Sequence, residues 1–329
     1  MAIGIGRRQF ISALGGAAVA WPLAARAQAQ PRPAHIGVLH PFSPPDPWAA
    51  ELRRGLRDLG YVEGRTITID ERGSEGRDEL LDGLAKELID SQVDVLVAIT
   101  GPPFQAARRQ TTTVPIVMAV SSDGVGAPGV ASLARPGGNV TGLTLMGPDL
   151  DGLRLSILKE AVPAAKRFAI IYNPNEPASV NELRQTEAAA VTLGIALQPV
   201  EAHGVEGLDQ AFTNAVAGGA GAFFTFAHAF TFSNRVRISE LAAKHRLPGM
   251  YGWREYADVG GLMVYGPNVA DVLYRSASFV DRIIKGGNPA EMPIEQPTRF
   301  ELVINLKTAK ALDLEIPAAL LVRADEVIE

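Results

Sequence analysis

Residues 34–70 read AHIGVLHPFSPPDPWAAELRRGLRDLGYVEGRTITID. His35–Leu39 is a short apolar, partly β-branched run. Asp46 and Pro47 then supply a cap and a first-turn proline, and Leu52, Leu56 and Leu59 recur on one stripe of a helix. Thr66–Asp70 is a second extended run. Strand, amphipathic helix and strand in this order make one unit of a parallel sheet, because parallel neighbours need a long crossover and a helix is the usual one.

The same plan repeats outward from there. Further strands are expected at Val93–Ile99, Pro115–Val120 and Val140–Leu145. A second set follows at Phe168–Tyr172, Ala196–Val200, Ala222–Phe226, Pro248–Tyr251 and Gly261–Tyr265. Two sets of five strands with helical spacers predict an α/β chain of two doubly wound lobes. Gly and Pro punctuate the joins at Arg135–Asn139, Gly147-Pro148 and Tyr265–Asn268. Beyond them a helix is expected from Val269 to Lys285, with Val272, Leu273, Ala277, Val280 and Ile284 facing inward and a stop at Gly286-Gly287. We expect the tail, Phe300–Asn305 and Leu306–Leu312, to return to the first lobe. That makes lobe 1 residues 34–143 plus 267–315 and lobe 2 residues 144–266, with a hinge crossed more than once.

The first 27 residues differ in kind. Arg7 and Arg8 head an apolar segment from Phe10 to Ala25, and Ala25-Arg26-Ala27 is a small-x-small cleavage pattern. This reads as a signal peptide cut near Ala27, by the twin-arginine or the general route, and its apolar part is shorter than the roughly 20 residues needed to span a bilayer. The leader holds three of the 31 basic residues and none of the 36 acidic ones, so the mature chain has a formal charge of −8. That sign argues against nucleic acid and against an anionic membrane surface. With no cysteine, disulfides, thiolate metal sites and a lipoprotein anchor are excluded. The five histidines are scattered, so no metal and no cofactor is expected. The plain expectation is a periplasmic monomer.

In open parallel sheets, ligands sit beyond the carboxyl ends of strands, where helix N-termini present free N–H groups. The candidates at those ends in the first half are His40, Phe42 and Trp48, then Thr100 and Gly101, then Ser121 and Asp123. In the second half they are Asn173, Glu176 and Ser179, then His228, then Tyr251 and Trp253. Each also has a structural role open to it. Ser179 with Glu182 spells a capping box, Thr100 suits a helix cap, Asp123 an Asx turn, and Tyr251 and Trp253 a lobe core. The repetition of polar and aromatic groups at matching strand ends carries the case for a ligand site.

Gly124–Gly129 matches a dinucleotide fingerprint, with Asp149 about 20 residues on. It follows the fourth strand rather than the first, and Pro128 disturbs the helix turn that should hold the pyrophosphate. No Gly-x-Ser-x-Gly elbow, phosphate-binding Walker loop or His-Glu-x-x-His occurs. An exported nucleotide-dependent oxidoreductase is therefore the rival reading, and a non-enzyme the preferred one.

The leader, the join ASLARPGGNVTGLT (131–144), the stretch ELAAKHRLPGMYGWREYADVGGLMVYGPN (240–268) and the tail EQPTRFELVINLKTAKALDLEIPAALLVRADEVIE (295–329) together resemble the ABC-transporter substrate-binding proteins of proteobacteria. The resemblance implies a type I periplasmic binding protein fold, two Rossmann-like lobes closing on a small organic solute, and a membrane permease as partner. The implied solute is an amino acid, an aromatic compound or another carboxylate. A ligand-sensing subunit of a signalling system uses the same cleft. Where related sequences carry Pro-Asp-Pro, this chain has Ala227-His228-Ala229, losing a carboxylate suited to a ligand amine. The helix starts at Thr100-Gly101 and Asn175–Ser179 suit a carboxylate, and Phe42, Trp48, Tyr251 and Trp253 suit a ring or acyl chain.

Overall fold

The runs VLVAI and IVMAVS are buried at every residue, as strands covered by helices on both faces must be. They lie at the centre of the first of two sheets. The computed structural model describes residues 32–44, 46–121, 130–176 and 178–329; the leader, Asp123 and Gly124–Gly129 lie outside the described residues. Ala34–Glu329 form one compact unit.

The first set runs β1 (Ala34–His40), α1 (Pro47–Asp58), β2 (Ile67–Gly73), α2 (Leu81–Asp90), β3 (Val95–Ile99), α3 (Gly101–Gln110), β4 (Ile116–Ser121) and β5 (Val140–Thr144). After α4 (Gly147–Ala161), the second set runs β6 (Arg167–Tyr172), α5 (Ser179–Leu193), β7 (Ala196–Glu201), α6 (Leu208–Ala217) and β8 (Ala222–Thr225). It continues through α7 (Ala229–Ser233), α8 (Arg235–Lys244), β9 (Gly249–Tyr251), α9 (Glu255–Asp258) and β10 (Met263–Pro267). Then come α10 (Val269–Ile284), β11 (Ile294–Glu295), β12 (Phe300–Asn305), α11 (Leu306–Ala311), α12 (Ala318–Arg323) and β13 (Glu326–Ile328).

The first sheet has the order β11-β5-β4-β3-β1-β2 and the second β13-β12-β10-β9-β8-β6-β7. Pairing is parallel except between β10 and β12. This is the doubly wound, two-lobed α/β architecture of type I periplasmic binding proteins. The chain passes between the sheets three times: before α4, before α10, and between β11 and β12.

The tail corrects an expectation. α10 packs on α1 and the first sheet, and β11 joins β5, but β12 and β13 return to the second sheet. Asn305 fastens β12 there, its side-chain amide donating to the Ala257 carbonyl at 3.3 Å. Leu59 is a second correction: it caps α1 and is 46 % exposed, whereas Leu52 and Leu56 are buried. The α1–α10 contact is close because residue 55 is glycine. A Cβ there would lie 2.4 Å from the Tyr274 carbonyl oxygen. One apolar cluster runs unbroken from Ile36 and Val97 in the first lobe to Phe223 and Val264 in the second. No helix among the described residues is long and apolar enough to cross a membrane.

Candidate functional site

Both sheets direct their parallel strand ends toward the space between the lobes. In the first lobe, β1 delivers His40, fully buried. Its Nδ1 accepts from the Phe42 amide at 3.2 Å, so Nε2 carries the proton and donates to Glu71 Oε1 at 3.0 Å. Glu71 also receives the Arg53 guanidinium at 2.7 Å and the Asp46 amide at 3.1 Å. Burial works to raise the Glu71 carboxyl, but the bonds from His40, Arg53 and the Asp46 amide overcome it and hold it at about 2. His40 therefore anchors the loop into α1 and is not itself at the surface of the site. What this anchoring positions is aromatic. Phe42 meets Trp48 edge-on, with ring centres 5.0 Å apart.

Thr100, after β3, sits at φ 78°, ψ 171°, a region almost reserved for glycine and costly to a β-branched residue by about 1–3 kcal/mol. It does not cap α3 with its side chain, and its buried Oγ1 has no hydrogen-bond partner. Gly101 opens α3 directly behind it. A strained residue with an idle hydroxyl at a helix N-terminus is an arrangement the lobe's own packing does not need. Ser121 is buried at the end of β4, its carbonyl accepting from Leu145 N at 2.8 Å and Thr144 Oγ1 at 3.2 Å.

The second lobe answers with charge. The capping box expected at Ser179 does not form, because α5 begins at Ser179 itself. Its hydroxyl donates back to the Asn173 carbonyl at 2.8 Å, and the Asn173 side chain closes an Asx turn on Asn175 N at 3.0 Å. Glu182 instead faces His228, at 2.8 Å from Nε2. Burial alone would lower the His228 imidazolium, but Glu182, then Glu176 and Asp151, outweigh it and lift it to about 9, so His228 is a cation at neutral pH. Glu176 accepts the Phe230 amide at 3.0 Å. Beneath lie two groups the sequence reading passed over. Arg154 and Asp151 form a fully buried pair at 2.7 Å, and Arg154 Nε also donates to the Tyr265 carbonyl at 2.7 Å. Gly252 is what makes room: a Cβ there would stand 2.9 Å from Arg154 Nη2. Removal from water pushes the Asp151 carboxyl up, with Arg154 pulling against it.

The two halves meet in an aromatic seam. Trp48 from the first lobe lies 4.4 Å from Phe232 and 5.4 Å from Trp253 of the second, and Phe42 lies 5.1 Å from Phe232. Trp48 Nε1 donates to Glu255 Oε1 at 3.3 Å, while the buried Trp253 Nε1 has no hydrogen-bond partner. Phe42, Trp48 and Trp253 are thus brought together as the sequence suggests, joined by Phe232 and Glu255, which it did not single out. Tyr251 is not part of the seam. Its ring stacks on Tyr256 at 4.0 Å and meets Phe223 edge-on at 5.6 Å. Among the described residues no cluster of three or more His, Asp or Glu is placed to hold a metal ion.

Comparison with known proteins bears on this site. Residues 45–328 match the family model described as ABC transporter substrate binding protein. A tyrosine-binding protein of Clostridioides difficile (strain R20291) is 26 % identical over 269 residues, 80 % of this chain and 75 % of that protein. The crystal structure of an ABC domain in complex with L-Trp from Streptococcus pneumonia superposes with a TM-score of 0.84 at 26 % identity, covering 90 % of this chain and all of that one. A conserved domain protein from Vibrio cholerae superposes with a TM-score of 0.83 at 27 % identity, over 89 % of this chain and 99 % of that one.

Proposed function

The chain belongs to the ABC transporter substrate binding protein family, and from that premise we propose that it receives an aromatic amino acid between its lobes and passes it to a membrane permease outside the cytoplasm. The observation that carries the solute class is the seam of Phe42, Trp48, Phe232 and Trp253, contributed by both lobes. An aromatic ring entering between those side chains would gain apolar burial and edge-on contacts from two directions at once. The likeness to a tyrosine-binding relative and to a domain holding L-Trp supports the same class.

Polar groups at the strand ends supply the rest. The start of α3 offers Thr100 Oγ1 and the single amide of Gly101, Pro102 and Pro103 having no N–H, and these two donors suit the carboxylate. Glu176 of the second lobe and Asp78 of the first suit the ammonium group. Partial removal from water, then the charges of Glu176 and Glu79, push the Asp78 carboxyl up to about 6, so an ammonium ion between the lobes would relieve a repulsion that closure creates. These two carboxylates take the place of the one missing at Ala227–Ala229. Because the solute touches both lobes, it binds the closed form better than the open one, which is the condition for driving closure.

The test is calorimetric titration of the full chain with L-Trp, L-Tyr, L-Phe, phenylpyruvate and succinate. We expect saturable binding of at least one aromatic amino acid and a weaker response to phenylpyruvate, which lacks the ammonium group. Binding of succinate alone, or of none of the aromatic compounds, would overturn the reading.

A further inference from the structure

A cavity of about 360 Å³ lies at the other end of the second sheet, away from the space between the lobes. Gly249 and Leu262, at the N-terminal ends of β9 and β10, line it, whereas Trp253 and the solute-facing loops follow the C-terminal ends. It exists because the two helices flanking it, α8 and α11, present small residues to each other: Ala242, Ala243 and Ala311. Beyond the helix ends, exposed Arg246 and Asp313 form an ion pair at 2.6 Å.

The interior is apolar with one polar point. Leu247, Leu262 and Leu312 supply the surface, and Ser239 supplies a hydroxyl that is buried, lies beside the Tyr251 hydroxyl and has no hydrogen bond of good geometry. At the rim, Lys307 is exposed and has no ion-pair partner among the described residues. The rim carboxylate, Glu240, is balanced by Arg237 at 3.6 Å. An apolar chamber with an exposed, unpaired lysine at its mouth is the complement of an amphiphilic anion.

The geometry points to a second small-molecule site here, one that takes a monocarboxylate whose apolar body has about seven to ten carbon atoms, since a dry cavity of about 150 Å³ holds a benzene ring. The carboxylate meets Lys307 and the chain lies between α8 and α11. This site does not depend on the reading of the space between the lobes. Its floor does include Tyr251, two residues before Trp253.

Octanoate and 1-octanol, titrated into the full chain and followed by calorimetry and by the methyl resonances of Leu247, Leu262 and Leu312, test it. Both should bind saturably and shift those methyls. Ala243→Trp and Ala311→Trp, substitutions at exposed positions on opposite walls, should each weaken both probes by about tenfold or more by filling the space. Lys307→Gln should weaken octanoate by about fivefold and leave 1-octanol unchanged. The proposal falls if the methyls do not shift, if neither tryptophan variant weakens binding, or if Lys307→Gln affects both probes alike.

Discussion

Each lobe buries a histidine at a strand end and sets a glutamate against it, yet the two pairs are completed differently. In the first lobe Glu71 receives His40, Arg53 and the Asp46 amide, so both carboxylate oxygens have donors. In the second, Glu182 meets His228, but Glu182 Oε1 and the neighbouring Asp151 Oδ2 are buried without hydrogen-bond partners. A satisfied network is a rigid platform; an incompletely satisfied one is held in place by charge balance and by the packing around it. On the proposed reading, the first lobe would offer the solute a fixed surface, and the second a set of charges that can respond to it.

The contrast breaks most severely at Arg154. Arg154→Ala leaves Asp151 buried without its cation and should cost about 3–5 kcal/mol in urea unfolding. Arg53→Ala removes a partly exposed partner from a carboxylate that keeps two other donors, and should cost about 1 kcal/mol or less. Equal losses for the two variants would erase the distinction. The two pairs should also fail at opposite ends of the pH scale. His228 is raised from 6.5 to about 9, so its contribution is complete below pH 6.5 and is lost as the pH climbs through 9. Glu71 is lowered from 4.5 to about 2, so its contribution is complete above pH 4.5 and is lost as the pH falls through 2. Each edge should be worth about 3 kcal/mol. Urea midpoints measured across pH should show Glu182→Gln flattening the alkaline edge and Glu71→Gln the acid one. If either substitution flattens both edges, the lobes titrate as one unit.

Much of this architecture is legible in the chain because it is local. The ten strands of the two sets and the stripes on α1 and α10 are written in hydrophobic periodicity, which depends on neighbours a few residues apart. The tail was misplaced for the opposite reason. FELVIN reads as a strand wherever it lies, and only its antiparallel pairing with β10 decides which sheet it joins. The site was half legible. Phe42, Trp48, Thr100, His228 and Trp253 were visible as unusual residues at strand ends. Glu182 was seen, but as a local cap, because the Ser-x-x-Glu spacing carries no hint that residue 228 will fold against it. Arg154 and Asp151, three residues apart on α4, are not singled out by the sequence at all. Their burial follows from Gly252 and the Tyr265 carbonyl, about a hundred residues away, which no local pattern announces.

Thr100 offers a smaller and more discriminating test. Thr100→Gly removes the backbone strain, and should raise stability by about 1–2 kcal/mol. It should also weaken solute binding about tenfold by deleting the hydroxyl. A residue kept only for folding would show neither change. A loss of stability would mean that the idle Oγ1 supports the first lobe after all.

The least change is expected where the lobes touch. Trp48→Phe keeps a ring in the aromatic seam but deletes the indole N–H that reaches Glu255 at 3.3 Å, a bond worth about 1 kcal/mol at most at that length. That amount is small against the stability of either lobe, so the urea midpoint should hardly move. It is large against a balance between open and closed forms, where about 1.4 kcal/mol changes a ratio tenfold. The ligand-free variant should therefore scatter X-rays with a larger radius of gyration than the parent, and the aromatic solute should restore the compact form. If the radius is unchanged, the rings alone hold the seam, and the two lobes meet through packing rather than through a bond to Glu255.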